Sequence, residues 1–335
     1  MVPCGALLSQ PGSNLEPVRP TRQGDGAGPP LLYADNRNLV LVQSPEGSWQ
    51  HSPPTYVGTP ANVVSANLGD LVLDPGSGGL DLDIPSDARI LTDEQGRLLV
   101  LTGATDRYPH GVVGDRIEAS GIALLDSTFD ESSMVTAHVE SDSVIEGISP
   151  IWADIDGDGD REIIVTVSND QVGAGIVAYD ESGEVVARGP IIGSGGRWRH
   201  QIAVAPFGPN GEIEIVDVLT PHIGGIVEFF QLQGDELVLN ASLPGYTSHR
   251  IGSRNLDMAA AGDFDGDGNV ELLVADQNNT RLAAIRHTTN GAEEVWSIPL
   301  PARLATNLGV VTTASGKIEV AVGLENGDIL IWRAS

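Results

Sequence analysis

The sequence predicts an all-β chain made by repetition of a small sheet, and three observations carry that reading. Short apolar, partly β-branched runs alternate with turns from Leu31 onward, and 41 Gly and 21 Pro supply the breaks. Helix-type periodicity is scarce. The Glu that heads an apolar run recurs at Glu162, Glu214, Glu271 and Glu319, so at spacings of 52, 57 and 48 residues. A strand-built period of about 50 residues fits one four-stranded blade of a β-propeller, whose closure into a ring removes exposed sheet edges.

In chain order, residues 1–28 are rich in Pro, Gly and polar types without a period. They read as a disordered segment, a linker or the remnant of a signal. A single propeller domain is expected over 29–335. Units are read at 29–57, at 58–88 in degenerate form, and at 89–145 with a long insertion; 147–193, 194–248, 249–301 and 302–335 follow. In 194–248 the strands are placed at 200–205, 213–218, 225–230 and 236–240. The last unit ends after its third strand, 328–332, so its outer strand has to come from the N-terminal side. Six units are clear, and the degenerate one makes seven, the favoured count.

Two acidic stretches hold the strongest chemical signal. They are Asp154-Ile155-Asp156-Gly157-Asp158-Gly159-Asp160-Arg161-Glu162 and Asp263-Phe264-Asp265-Gly266-Asp267-Gly268-Asn269-Val270-Glu271. Each sets carboxylates at positions 1, 3, 5 and 9, with Gly at position 6 for a sharp reversal. Ca²⁺ is a hard cation that takes six to eight oxygen ligands, and alternating Asp in a tight turn supplies several at once. Asp160 and Asn269, at position 7, are expected to offer their backbone carbonyls, and Glu162 and Glu271 to close the shell. An EF-hand is excluded: its loop needs Glu at position 12 and flanking helices, whereas position 12 is Val165 or Val274 within an apolar strand-like run. Two Ca²⁺ sites, each joining two strands, are therefore expected.

These loops, each followed by an apolar strand, resemble the FG-GAP/VCBS repeat family. The resemblance implies a β-propeller, as in the heads of integrin α subunits, with Ca²⁺ between the first and second strands of a blade. Two further units carry degenerate loops, with Pro206, Gly208 and Asn210 in one and Val311, Thr313 and Ser315 in the other. Neither is expected to bind calcium. The pattern covers about 300 residues, and it speaks to fold and metal rather than to an activity.

The net charge of -28 and a pI near 4.3 disfavour nucleic acid or an anionic membrane as partner. One Cys rules out a disulfide framework within the chain. No stretch reaches the roughly 18 apolar residues of a membrane span. The first ten residues lack a basic n-region and a full h-region, and Pro3 fits poorly before a lipidated Cys4. A monomer at an extracellular, periplasmic or cell-surface location is expected.

A second constellation falls on the opposite face. Successive antiparallel strands reverse direction, so second-to-third loops and blade-to-blade connections share the face that first-to-second loops leave. Arg107 and His110 sit in one second-to-third loop and His222 in another; Arg197, Arg199 and His200 precede a first strand, as do His249, Arg250 and Arg254. Four of seven His thus gather on one rim of an acidic protein, with Tyr108 and Tyr246 in the same loops. Three readings stay open: hydrogen bonding around a channel mouth, an anion or carboxylate-sugar site using Arg, and a Zn²⁺ site of neutral imidazoles. Trp198, Trp296 and Trp332 are read as filling between blades, with sugar-stacking platforms as the alternative. No Gly-x-Ser-x-Gly elbow, P-loop or dinucleotide fingerprint is present.

The functional expectation is a calcium-stabilised secreted or surface module that binds a protein or carbohydrate. The alternative is a lyase or isomerase acting on an acidic carbohydrate. His222 or His249 would then abstract the proton α to a uronate carboxylate, with His110, His200, Arg199, Arg250, Arg254 and Tyr246 as further candidates.

Overall fold

The computed structural model describes residues 79–126, 128, 130–312 and 317–334. Upstream it describes the strands at 15–16, 21–23, 30–35, 38–43, 55–57, 62–67 and 70–74, with residues 52 and 69. Every regular element among them is a strand, apart from a 3-10 turn at Glu131–Ser133. Thr55–Val57, Asn62–Asn67, Asp70–Asp74 and Gly79–Asp81 form one antiparallel meander, and Leu91–Thr92, Leu98–Thr102, Gly121–Leu125 and Val135–His138 form the next. A nine-stranded sheet consists of two meanders, over 144–188 and 199–244, joined edge to edge by one parallel pair, Arg188 with Glu236. Another meander covers 246–299. Near the start, Thr21–Gln23, Pro30–Asp35 and Asn38–Gln43 make a three-stranded sheet.

The last sheet, Gly309–Thr312, Ile318–Gly323 and Ile329–Ala334, takes its fourth strand from Leu15–Glu16. The outer strand does come from the N-terminal side. The stretch 1–28, expected as a linker, therefore contributes strands at 15–16 and 21–23; the rest of it, Cys4 included, lies outside the described residues. Thr55–Val57 pairs antiparallel with Asn62–Asn67, only a few residues further along the chain, rather than closing the unit before it.

Inner edges face inner edges. Ile151–Ala153 lies against Arg199–Ala205, which lies against Ala259–Gly262, while Gly309–Thr312 lies against Pro30–Asp35. That is how sheets fan about a common axis. Each sheet is then covered on both faces, so middle strands bury every residue: Leu98–Thr102, Gly173–Tyr179 and Glu271–Asp276 have no exposed position. An outer strand such as Val135–His138 alternates instead. Continuous apolar runs in the sequence mark inner and middle strands for this reason.

The inner strand of two units is split. Val144–Ile145 and Ile151–Ala153 both pair with Glu162–Asn169, and Tyr246–Thr247 and Ala259–Gly262 both pair with Glu271–Asp276. His249, Arg250 and Arg254 thus lie in an excursion, 248–258, inside a first strand. It reaches past two intervening units to the 103–120 loop: Gly252 donates its N–H to the Val112 carbonyl at 2.8 Å. Arg254 Nε donates to Asp87 Oδ2 at 2.8 Å, its other nitrogen pairs with Asp115, and Arg89 pairs with Asp257. Beneath these contacts, Val112, Val113, Ile148, Trp198 and Leu256 pack into one buried cluster. Those residues belong to four different units, so the cluster plugs the axis.

Candidate functional site

Both acidic loops turn one antiparallel strand into the next, with Ala153 opposite Glu162 and Gly262 opposite Glu271. No helix flanks them. Position 2 anchors each loop in the core: Ile155 and Phe264 are buried. Gly157 and Gly159 take φ +82° and +97°, Gly266 and Gly268 +79° and +90°, a region that side-chain-bearing residues rarely adopt. The Asp154 carboxylate accepts backbone N–H groups from Gly157 and Gly159 at 2.6 and 3.1 Å; Asp263 does the same for Gly266 and Gly268 at 2.7 and 2.9 Å. Glu162 Oε2 reaches back to the Ile155 N–H at 2.8 Å, and Glu271 Oε2 to that of Phe264 at 3.1 Å.

The result is convergence. Asp154, Asp156 and Glu162 can bring one oxygen each to within 4.8 Å of one another, as can Asp263, Asp265 and Glu271. Asp158, Asp160, Asp267 and Asn269 stay outside these triads, capping backbone N–H groups or facing solvent. The donors are all oxygen, the chemistry that suits a hard divalent cation. Burial, reinforced by Asp156, Asp154 and Asp158, pushes the Glu162 carboxyl above the usual range. Burial does the same to Glu271. Two members of the second loop's surroundings escape a sequence reading. Arg286 donates to Glu271 and, at 2.9 Å, to Asp267; the indole N–H of Trp296 reaches Asp265 Oδ2 at 3.2 Å. The signal for Arg286 is register, since it faces Glu271 across the hairpin, but register needs the turn position first.

On the other face, three of the four rim histidines gather around Trp198, and the fourth, His110, lies close enough to His222 to act on its charge. His200 stacks on the indole at 4.6 Å between centroids, His222 lies at 6.0 Å and His249 meets it edge-on at 5.2 Å. His249 Nε2 is 2.7 Å from the Ser253 carbonyl oxygen, so it carries the proton. Its Nδ1 must then accept, and at 2.6 Å it accepts from Nε2–H of His222. A lone pair is left on His222 Nδ1. Thr220 holds this loop at φ +48°, an uncommon conformation for a β-branched residue, while its N–H binds the Trp198 carbonyl at 2.8 Å. His200 Nδ1 lies 2.8 Å from Ser248 Oγ.

The electrostatics split these rings. Burial, then His249 and His110, pushes His222 down to about 4; burial also holds His200 and His249 below the usual histidine range. His110 goes the other way, raised chiefly by its hydrogen bond to Glu146, which in turn accepts from Ser168 Oγ at 2.6 Å. Behind them Glu118, buried and next to Glu146, is pushed up to about 9. The Trp198 indole N–H is buried with no hydrogen-bond partner among the described residues.

The other candidates are not brought into this group. Arg199 turns back into its blade between Asp217 and Glu228, at 2.6 and 2.7 Å. Arg250 pairs with Glu325 at 2.7 Å, Arg254 with Asp87 and Asp115, and the Tyr246 hydroxyl donates to Glu294 at 2.7 Å. Arginines with no carboxylate partner among the described residues are Arg107, Arg116, Arg188, Arg197 and Arg303; all but Arg188 lie in loops of this face. Exposed aliphatic side chains collect there too, with Ile223 76% and Ile251 72% accessible and Ile117, Val172 and Ile191 beside other loops of the same face.

Two outcomes follow. Arg199→Ala leaves two buried carboxylates without a counter-charge and is expected to cost about 3–5 kcal/mol in urea denaturation, the range for breaking a buried ion pair. For His222, the folded imidazole binds its proton less readily than the unfolded one. Its contribution to stability is complete above about pH 6.5, the ordinary histidine value, and is lost as pH falls toward its folded value of about 4. His222→Gln is therefore expected to narrow the gap in urea midpoint between pH 7 and pH 5; an unchanged gap would contradict this.

No protein-family model and no curated protein matches the chain. Among solved structures it is similar to the Dos1 propeller, with TM-score 0.50 and 9% identity over 96% of each chain. The WD40 domain of Toxoplasma gondii coronin gives TM-score 0.44 and 9% identity, covering 98% of this chain and 85% of that one. The exotype rhamnogalacturonan lyase YesX gives 0.36 and 17%, covering 71% of this chain and 56% of that one. At such identities the likeness is one of fold: the chain is an all-β propeller.

Proposed function

We propose that this chain is a calcium-stabilised, seven-bladed propeller of the FG-GAP/VCBS type that works at a cell surface or in the periplasm or extracellular medium as a monomeric binding module. One observation carries the calcium reading. Glu162 is buried at 5% exposure, aims at Asp154 and Asp156, and has no cationic partner among the described residues. A buried carboxylate beside two others requires either protons or a cation. Asp154, Asp156 and Glu162 would hold one ion and Asp263, Asp265 and Glu271 the other. Bound calcium would supply the positive charge that lets these carboxylates stay ionised and locks each hairpin in place. Millimolar calcium outside cells suits sites of modest affinity.

The ligand face in this reading is the opposite one. Arg107, Arg116, Arg197 and Arg303 there lack carboxylate partners among the described residues, in a protein of net charge -28. With the nearby exposed aliphatics they favour a protein or carbohydrate ligand that carries carboxylates. Calcium at a hundredfold excess over Kd should stabilise the fold by about 2.7 kcal/mol per site. The melting temperature should rise on adding calcium after chelation, and the rise should shrink in Asp154→Asn and vanish in Asp154→Asn with Asp263→Asn. An identical melting curve with and without calcium in the parent chain would refute the calcium reading.

A second reading is favoured by His110 and His222, neighbours whose proton affinities are driven apart. A neutral His222 whose Nε2–H is committed to His249 can take a proton at Nδ1, while His110, which holds a proton more readily than an ordinary histidine, and Arg197 would face an anion. Proton abstraction α to a uronate carboxylate is the reaction this would serve. Uronate oligosaccharides should then yield unsaturated product, lost in His222→Ala. No product from any of them leaves the binding module standing.

A further inference from the structure

Each unit from 144 onward buries a Glu at the head of its second strand: Glu162, Glu214, Glu271 and Glu319 are at most 5% exposed. What neutralises it differs from unit to unit. Glu214 is met by His287 Nδ1 at 2.8 Å and by the Asn240 amide at 3.0 Å. Glu319, whose loop lacks the acidic pattern, is held by Arg333, which faces it across the hairpin. Glu271 has both devices: an acidic loop, and Arg286 at the position that Arg333 occupies in the last unit. Glu162 has only the loop. The residue across its hairpin is Asp180, and Arg161 turns outward to Glu94 at 2.6 Å.

We infer that the two acidic loops are unequal cation sites, with 154–162 the tighter one and Arg286 acting as a built-in counter-ion that a divalent ion must displace at 263–271. The inference rests on the calcium reading above. Arg286 donates through Nε at 3.1 Å and through its terminal nitrogen to Glu271 Oε1, reaches Asp267 Oδ2 at 2.9 Å, and lies 3.6 Å from Asp265 Oδ2. It thus neutralises two of the three converging carboxylates, Asp265 and Glu271. A guanidinium already bonded there offsets part of the attraction for an incoming ion, and its release leaves a half-buried arginine in need of new acceptors. At 154–162 nothing has to move. The first loop should fill at calcium concentrations that leave the second largely empty.

Isothermal titration of the chelator-treated chain with calcium chloride tests this. Asp156→Asn leaves only the second loop competent and Asp265→Asn only the first, so each affinity is read without touching Arg286. The first loop is expected to bind about tenfold more tightly, the factor that one competing charge-assisted hydrogen bond corresponds to. Arg286→Gln should raise the second affinity toward the first. Should that variant fail to fold, the comparison of the two Asn variants decides alone. Equal affinities, a tighter second loop, or a folded Arg286→Gln with an unchanged isotherm would overturn the inference while leaving calcium binding intact. No calcium heat in the parent chain, together with none in either Asn variant, would instead remove the calcium reading itself.

Discussion

The carboxylate that opens the second strand of each unit from 144 onward is withdrawn from water, and the structure must supply it with something positive or a donor. Most features of the loop face follow from that demand. Desolvation disfavours the charged form of a buried acid unless a partner stabilises it. Glu319 solves the problem with an arginine, Glu214 with a histidine and an amide, and Glu271 with an arginine inside a ring of acids. The repeat is therefore conserved within the chain as a problem rather than as a motif. Aligning only the acidic loops finds two units, whereas aligning the buried Glu finds four.

That difference explains what could be read in advance. Apolar runs covered on both faces, such as Leu98–Thr102 and Gly173–Tyr179, are visible in a string of letters because burial on two sides removes alternation. The strands placed in 194–248 lie within a few residues of Arg199–Ala205, Glu214–Leu219, Ile226–Gln233 and Glu236–Pro244. The hairpin position of the acidic loops was legible too, because Gly at positions 4 and 6 and an apolar run after Glu leave little else. Side-chain direction was not. Arg199 and His200 are adjacent in sequence, and strand alternation sends one into its own blade and the other onto Trp198. Arg250, Arg254 and Tyr246 share loops with the histidines, yet each finds a nearer carboxylate.

The axial plug was equally hidden. Val112, Ile148, Trp198 and Leu256 lie in connections that look unremarkable one at a time. They meet only because the inner strand over 246–262 is interrupted and its excursion crosses to the 103–120 loop. Sequence patterns report periodicity within an element; contacts across an axis depend on where several elements end. Trp198 was therefore readable as large and apolar, but not as the platform on which three imidazoles are set.

The seam between Leu15–Glu16 and Ile329–Ala334 has a mechanical meaning. It ties residue 16 to residue 333, so nearly the entire repeat must be synthesised before the final sheet is complete. Loop-closure entropy grows only slowly with length, so such a distant pairing is thermodynamically tolerable, although it comes late. Tension applied between the two ends of the chain would fall first on these few hydrogen bonds, which makes this latch the natural point at which the ring opens.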